Sequence, residues 1–113
     1  MRYKDTMKYT IKQTENFSDW LENIKDPKAQ ARIVTRVDAA GSGNFGDWKH
    51  IEAGLCEMRI DYGPGYRVYY GQVGKVVFVI VGGGLKSTQK RDIGKVLAIW
   101  AEIKGDAHDQ GKD

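Results

Sequence analysis

Three basic residues, Arg59, Arg67 and Lys86, lie within LCEMRIDYGPGYRVYYGQVGKVVFVIVGGGLKSTQKRDI, the stretch from Leu55 to Ile93. Strand alternation and turn chemistry bring them towards one sheet face. Cations gathered in this way suit an anionic substrate, above all a phosphodiester whose charge grows in the transition state. Residues for other chemistries are scarce. The histidines are His50 and His108, and no carboxylates cluster at ligand spacing, so neither a metal nor another cofactor is expected. Cys56 is the single cysteine and falls on a predicted core face, while no serine has a partner histidine visible from spacing. GGGLKST lacks the spacing of a phosphate-binding P-loop. What remains is a substrate that brings its own nucleophile. RNA does so: its 2′-hydroxyl attacks the adjacent phosphate once a site aligns the atoms and stabilises the phosphorane with Arg or Lys.

The elements that must position these residues follow from the pattern. Cys56, Met58 and Ile60 alternate with Glu57, Arg59 and Asp61, and Tyr66, Val68 and Tyr70 alternate with Arg67 and Tyr69. Asp61-Tyr62-Gly63-Pro64-Gly65 between them is turn chemistry, so the two runs read as a hairpin. A turn centred on Gly63 sets Arg59 opposite Arg67, a like-charge pair that an anion would relieve. Solvation, or pairing of the two arginines with Glu57 and Asp61, is the alternative. The apolar side of the hairpin is expected to face the core and the charged side to face solvent. Lys75 to Val81 reads as the most buried strand, ended by Gly82-Gly83-Gly84, whose tight turn would bring Lys86 to the rim beside Arg59 and Arg67.

Upstream, Tyr9 to Gln13 alternates as a short strand, and Phe17, Trp20, Leu21 and Ile24 follow at the spacing of one helical face. Asp26-Pro27 supplies an N-cap and a first-turn proline for a second helix buried through Ala29, Ile33, Val37 and Ala40 and stopped by Gly41. Lys28, Arg32 and Arg36 recur on another face of it, as a solvated face or a rail for backbone phosphates. After the flexible GSGNFGD loop, Trp48 to Ile51 leads into the hairpin. Ser87 or Thr88 can cap a last helix whose Ile93, Val96, Leu97 and Trp100 pack on the sheet. The predicted order is βααββββα. That is an α+β fold with two N-terminal helices and one C-terminal helix on a mainly antiparallel sheet of four to five strands.

A chain of 113 residues with no internal linker is a single domain. It carries 18 Lys and Arg against 15 Asp and Glu, and the acidic residues gather towards the ends, so a polyanionic partner is plausible. No apolar run approaches the ~20 residues of a membrane span, and MRYKDTMKYT has no apolar signal core, so a cytoplasmic protein without membrane contact is expected. Residues 1–6 read as an extension ahead of Met7, and 105–113 as a disordered polar tail.

RIDYGPGYRVYY followed by VVFVIVGGGLKSTQKRDI resembles the RelE/ParE superfamily of bacterial toxins, and within it the addiction-module killer proteins close to HigB-type toxins. The resemblance runs from about Tyr9 to Ile103. It implies a RelE-like fold, a helix-turn-helix antitoxin as partner, and metal-independent cleavage of mRNA, commonly in the ribosomal A site. Carried over by position, Arg67 matches the arginine that holds the scissile phosphate, Arg59 a basic residue on the preceding strand, and Lys86 the loop cation after the last strand. Glu57 stands where RelE has a second lysine, so an all-basic proton relay does not transfer.

Glu57 or His50 is then the candidate base. A carboxylate between two arginines is a weak one, whereas an imidazole titrates near neutrality. Tyr69 would stack on a base or bond phosphate, Gln89 and Lys90 would meet RNA at the helix start, and Arg32 and Arg36 would follow its backbone. Replacing Arg67 by Ala is expected to leave the fold intact. A ParE-like poison of DNA gyrase without catalysis, or a non-toxic relative that only binds its antitoxin, are the alternatives, because one fold serves several activities.

Overall fold

The computed structural model describes residues 8–111, with side chains described as far as Asp106. Its elements are β1 (Thr10–Gln13), α1 (Glu15–Glu22), α2 (Pro27–Gly41), β2 (Trp48–Glu52), β3 (Leu55–Ile60), β4 (Tyr66–Val73), β5 (Val77–Leu85), a 3-10 turn over Lys86–Thr88, and α3 (Gln89–Gly111). This is the predicted α+β order. The sheet runs β1-β5-β4-β3-β2; β1 lies parallel to β5 and the other neighbours are antiparallel. No described helix is long and apolar enough to cross a membrane.

Local chemistry fixes the helix starts. The Thr14 hydroxyl oxygen accepts from the Phe17 N–H and donates to the Val81 carbonyl, capping α1 and tying it to β5. Asp26 Oδ1 accepts from the Lys28 N–H ahead of Pro27, which has no N–H of its own to satisfy. Residues 1–6, read as an extension, lie outside the described residues. α3 runs to Gly111, into the stretch read as a polar tail, whose last two residues lie outside the described ones.

Two apolar clusters sandwich the sheet. Phe17, Ile33, Val37, Met58, Ile60, Val68 and Ile80 fill the face under α1 and α2. Leu55, Tyr69, Val81, Val96 and Trp100 fill the other under α3. The expectation that the charged side of the hairpin meets solvent holds for Arg59 and Asp61 near the turn but is overturned for the remaining residues. Glu57, Arg67 and Tyr69 alternate onto the α3 face, and α3 covers it.

Two features of the strand reading also change. The most buried strand is β4, not β5, because β4 is central in the sheet and both of its faces are covered. The triple glycine does not end β5, which extends to Leu85. Its glycines are close-approach positions: a methyl group on Gly83 would overlap the Trp20 indole, one on Gly84 the Asp92 carboxylate, and one on Gly82 would meet Val96. Between Tyr69 and Tyr70 the β4–β5 register slips, leaving Val81 as a bulge. Its carbonyl accepts from Thr14 and from Asn16 Nδ2. Cys56, placed on the core face from sequence, is half-buried against the cluster under α1 and α2.

Candidate functional site

Arg59 and Arg67 are direct cross-strand partners, as the turn centred on Gly63 predicted. Their guanidinium groups nevertheless part. Arg59 is bound by Asp47, with Nη2 at 2.8 Å and Nε at 3.3 Å from Oδ1, and the two side chains are 38% and 59% exposed. That hydrogen bond holds the Asp47 carboxyl below the usual carboxylate range. The cause is register: β2 pairs Trp48 with Met58, so the residue before Trp48 faces Arg59, and the Arg59 N–H also donates to the Asp47 carbonyl at 2.8 Å.

Arg67 is 8% exposed and Glu57 beside it is fully buried. Arg67 Nη1 donates to the Tyr66 carbonyl at 3.1 Å, but its Nε stands 4.0 Å from Glu57 Oε2, beyond hydrogen-bond reach. Glu57 Oε1 accepts instead from Gln89 Nε2 at 2.6 Å, from the first residue of α3. Glu57 Oε2, Arg67 Nε and the Tyr69 hydroxyl are buried polar atoms without a hydrogen-bond partner among the described residues. Unpartnered polar atoms gathered beneath one helix start are costly, and a fold dominated by stability would not be expected to keep them. Burial first, then the Glu57 and Asp92 carboxylates, push the Tyr69 phenol well above its ordinary value, with Arg67 partly opposing. Asp92 accepts from the Thr88 hydroxyl at 2.5 Å and lies 3.8 Å from Arg91 Nε.

Lys86 is exposed and approaches Arg67 across the hairpin turn. A methyl group on Gly65 would lie 3.1 Å from Lys86 Cβ and 3.9 Å from Arg67 Nη1, and the Lys86 N–H donates to the Gly65 carbonyl at 2.9 Å. Gly65 has φ +85°, which an L side chain rarely adopts, so the turn leaves room for both cations. Lys86 and Arg67 thus border one turn. Arg59 is engaged by Asp47, which also feels the Arg67 charge, and Arg67 is buried, so the three cations do not line the open, solvent-facing pocket expected from sequence.

Other predicted site residues are redistributed. His50 pairs with Cys56 across β2 and β3 and shares its face, opposite to Glu57; its Nε2 accepts from the Gly54 N–H at 3.3 Å. It does not reach the Glu57–Arg67 cluster. Tyr69 is fully buried, so its ring is not presented for stacking. Gln89 spends its amide on Glu57, whereas Lys90 is exposed on the first turn of α3.

Arg36 spends its guanidinium within the protein: Nη1 donates to the Arg59 carbonyl at 2.7 Å and Nη2 to the Phe45 carbonyl at 3.0 Å, fastening the glycine loop to the sheet. Arg32 lies over the Tyr62 ring at 4.5 Å from its centroid, in a groove of about 460 Å³ that Lys28 and Asp61 also line. Asp47 and Asp92 were missed from sequence. Asp47 was findable by extending the Trp48–Met58 register one residue back. Asp92 was findable from its place one helical turn after Thr88, from whose hydroxyl it accepts, whereas its approach to Gly84 depends on how α3 crosses β5.

Among the described residues no group of three or more His, Cys, Asp or Glu side chains could hold a metal ion. No family model matches the chain. No solved structure matches it either. An uncharacterized protein of Haemophilus influenzae is 44% identical over 97 residues, which span 86% of this chain and 98% of the relative. At that identity and coverage, the chain belongs to the same family as the Haemophilus protein.

Proposed function

We propose that the protein is the toxin of a type II toxin-antitoxin module, with a RelE-like fold of the HigB type, that acts in the cytoplasm by cleaving mRNA. The observation that carries this reading is the loosely paired Glu57 and Arg67, with unbonded Oε2 and Nε atoms 4.0 Å apart and Lys86 across the adjoining turn. In the proposed reaction, which requires the start of α3 to lift because Glu57 is fully buried beneath it, Glu57 Oε2 takes the proton of a 2′-hydroxyl, whose oxygen attacks the neighbouring phosphorus. The 5′-oxygen leaves with a proton from solvent, giving a 2′,3′-cyclic phosphate and a 5′-hydroxyl. Arg67 and Lys86 stabilise the charge on the phosphorane. Arg59 contributes only when Asp47 releases it. The ribosome presents the message, and a helix-turn-helix antitoxin neutralises the toxin by covering Lys86 and the turn at Gly65.

The burial of Arg67 and Glu57 favours a second reading, a ParE-like protein that poisons DNA gyrase by binding and leaves its polar cluster closed. A pulse of expression followed by primer extension on cellular mRNA separates the two. Cuts within translated codons, lost in Glu57→Gln, support the nuclease. Intact mRNA with DNA damage supports the poison, and unimpaired growth defeats both.

A further inference from the structure

Glu57 has a choice of two partners, and the geometry shows which one it takes. Its Oε1 accepts from Gln89 Nε2 at 2.6 Å, while its Oε2 stays 4.0 Å from Arg67 Nε. A fully buried carboxylate beside a guanidinium ordinarily closes to a charge-assisted hydrogen bond of about 2.7–2.9 Å. Here the closure is incomplete, and both facing atoms remain unbonded although each is buried.

Arg67 is anchored from its other side, through the bond from Nη1 to the Tyr66 carbonyl. The gap is therefore set by where the carboxylate is held. Gln89 sits at the first position of α3, directly after the Lys86–Thr88 turn, and its backbone is fixed by the helix that packs on Tyr69 and Val81. Glu57 is fixed on β3 between Cys56 and Met58, in register with Tyr69 of β4. A short bond between two anchored elements is a strut. No other hydrogen bond to the Glu57 carboxylate is present to share that role among the described residues.

We infer that Gln89 is a positioning residue: its amide holds Glu57 off Arg67, so that the guanidinium is not neutralised by its own carboxylate and keeps its charge for a phosphate at the Gly65 turn, which Nη1 and Lys86 border. The inference rests on the RNA-cleavage reading for its purpose but not for its geometry. Without the amide, the carboxylate swings to Arg67, and the same closure occupies the Nε–H and offsets the guanidinium charge. The assignment also reverses the role expected of Gln89 from sequence. It meets no RNA and acts through Glu57.

The test has two arms on the full chain. In the first, the Arg67 Nε–H resonance is followed by 15N NMR in the wild type, Gln89→Ala, and the double variant Gln89→Ala/Glu57→Gln, each checked for folding by its dispersed amide spectrum. A downfield proton shift in Gln89→Ala that disappears in the double variant is expected. An unchanged resonance in folded Gln89→Ala overturns the inference, whatever the protein does to RNA.

In the second arm, binding of a 2′-O-methyl RNA oligonucleotide, which is not cleavable by this route, is measured by anisotropy. Gln89→Ala is expected to weaken binding about tenfold, the loss of one charge-assisted hydrogen bond, and the double variant to restore it. Equal affinity of wild type and Gln89→Ala also overturns the inference. Absence of RNA binding by the wild type defeats the functional reading instead, and the resonance then decides the strut alone.

Discussion

Arg59 and Arg67 face each other across β3 and β4, yet one guanidinium is tied to Asp47 in the glycine loop and the other lies beneath α3 beside Glu57. The like-charge pair is relieved from within the protein: Asp47 bonds Arg59, and Glu57 lies beside Arg67 without closing on it. That division turns two positions that look equivalent in the strand pattern into one exposed and one buried cation, with different consequences on substitution.

Arg67→Ala is expected to destabilise the fold by about 3 kcal/mol, because it leaves the Glu57 carboxylate buried without a counter-charge. The expectation of an intact fold rested on an exposed Arg67. Urea unfolding should show a lower midpoint for Arg67→Ala, with much of the loss recovered in Arg67→Met/Glu57→Gln, which removes both charges. A single variant as stable as the wild type would contradict the burial of the pair.

The Tyr69 hydroxyl has no partner, so Tyr69→Phe should raise stability by about 1 kcal/mol. Burial pushes both the Tyr69 and the Tyr70 phenols well above their ordinary value. In the unfolded chain they ionise near pH ~10. Unfolding above that pH therefore releases protons that the native state retains. Their contribution to stability is complete below pH ~10 and falls as the pH rises further. Chemical unfolding between neutral pH and pH ~11 should show this decline, and it should be shallower in Tyr69→Phe.

Asp47→Ala frees Arg59 without opening the core, since both partners are exposed. Within the proposed function the released guanidinium adds one phosphate contact. The slope of log K against log salt for single-stranded RNA should then steepen by about 0.7. An unchanged slope would place Arg59 away from the bound strand.

Gly71 lies under the Trp100 indole, which a methyl group at that position would overlap. Gly71→Ala is expected to cost about 1–3 kcal/mol through overpacking. Trp100 also donates from Nε1 to the Ala53 carbonyl at 2.8 Å, so displacing the ring strains the β2–β3 turn as well. Thermal unfolding with Trp fluorescence as the probe measures both. Wild-type stability in Gly71→Ala would mean that α3 stands further from the sheet.

Sequence by itself determined the element order, the hairpin register that sets Arg59 against Arg67, and the caps at Asp26 and Pro27. These are local matters: side-chain period, turn residues and backbone donors near in the chain decide them. Tertiary structure decided what the basic face meets. Alternation shows that Glu57, Arg67 and Tyr69 share a side, but only the packing of α3 makes that side a second core, and only the β2 register hands Arg59 to Asp47. The triple glycine shows the same limit. It looks like a strand end until Trp20 and Asp92, distant in sequence, need the space that a Cβ would fill. Burial and partner choice depend on contacts between residues far apart in the chain, and those contacts exist only once the layers have assembled.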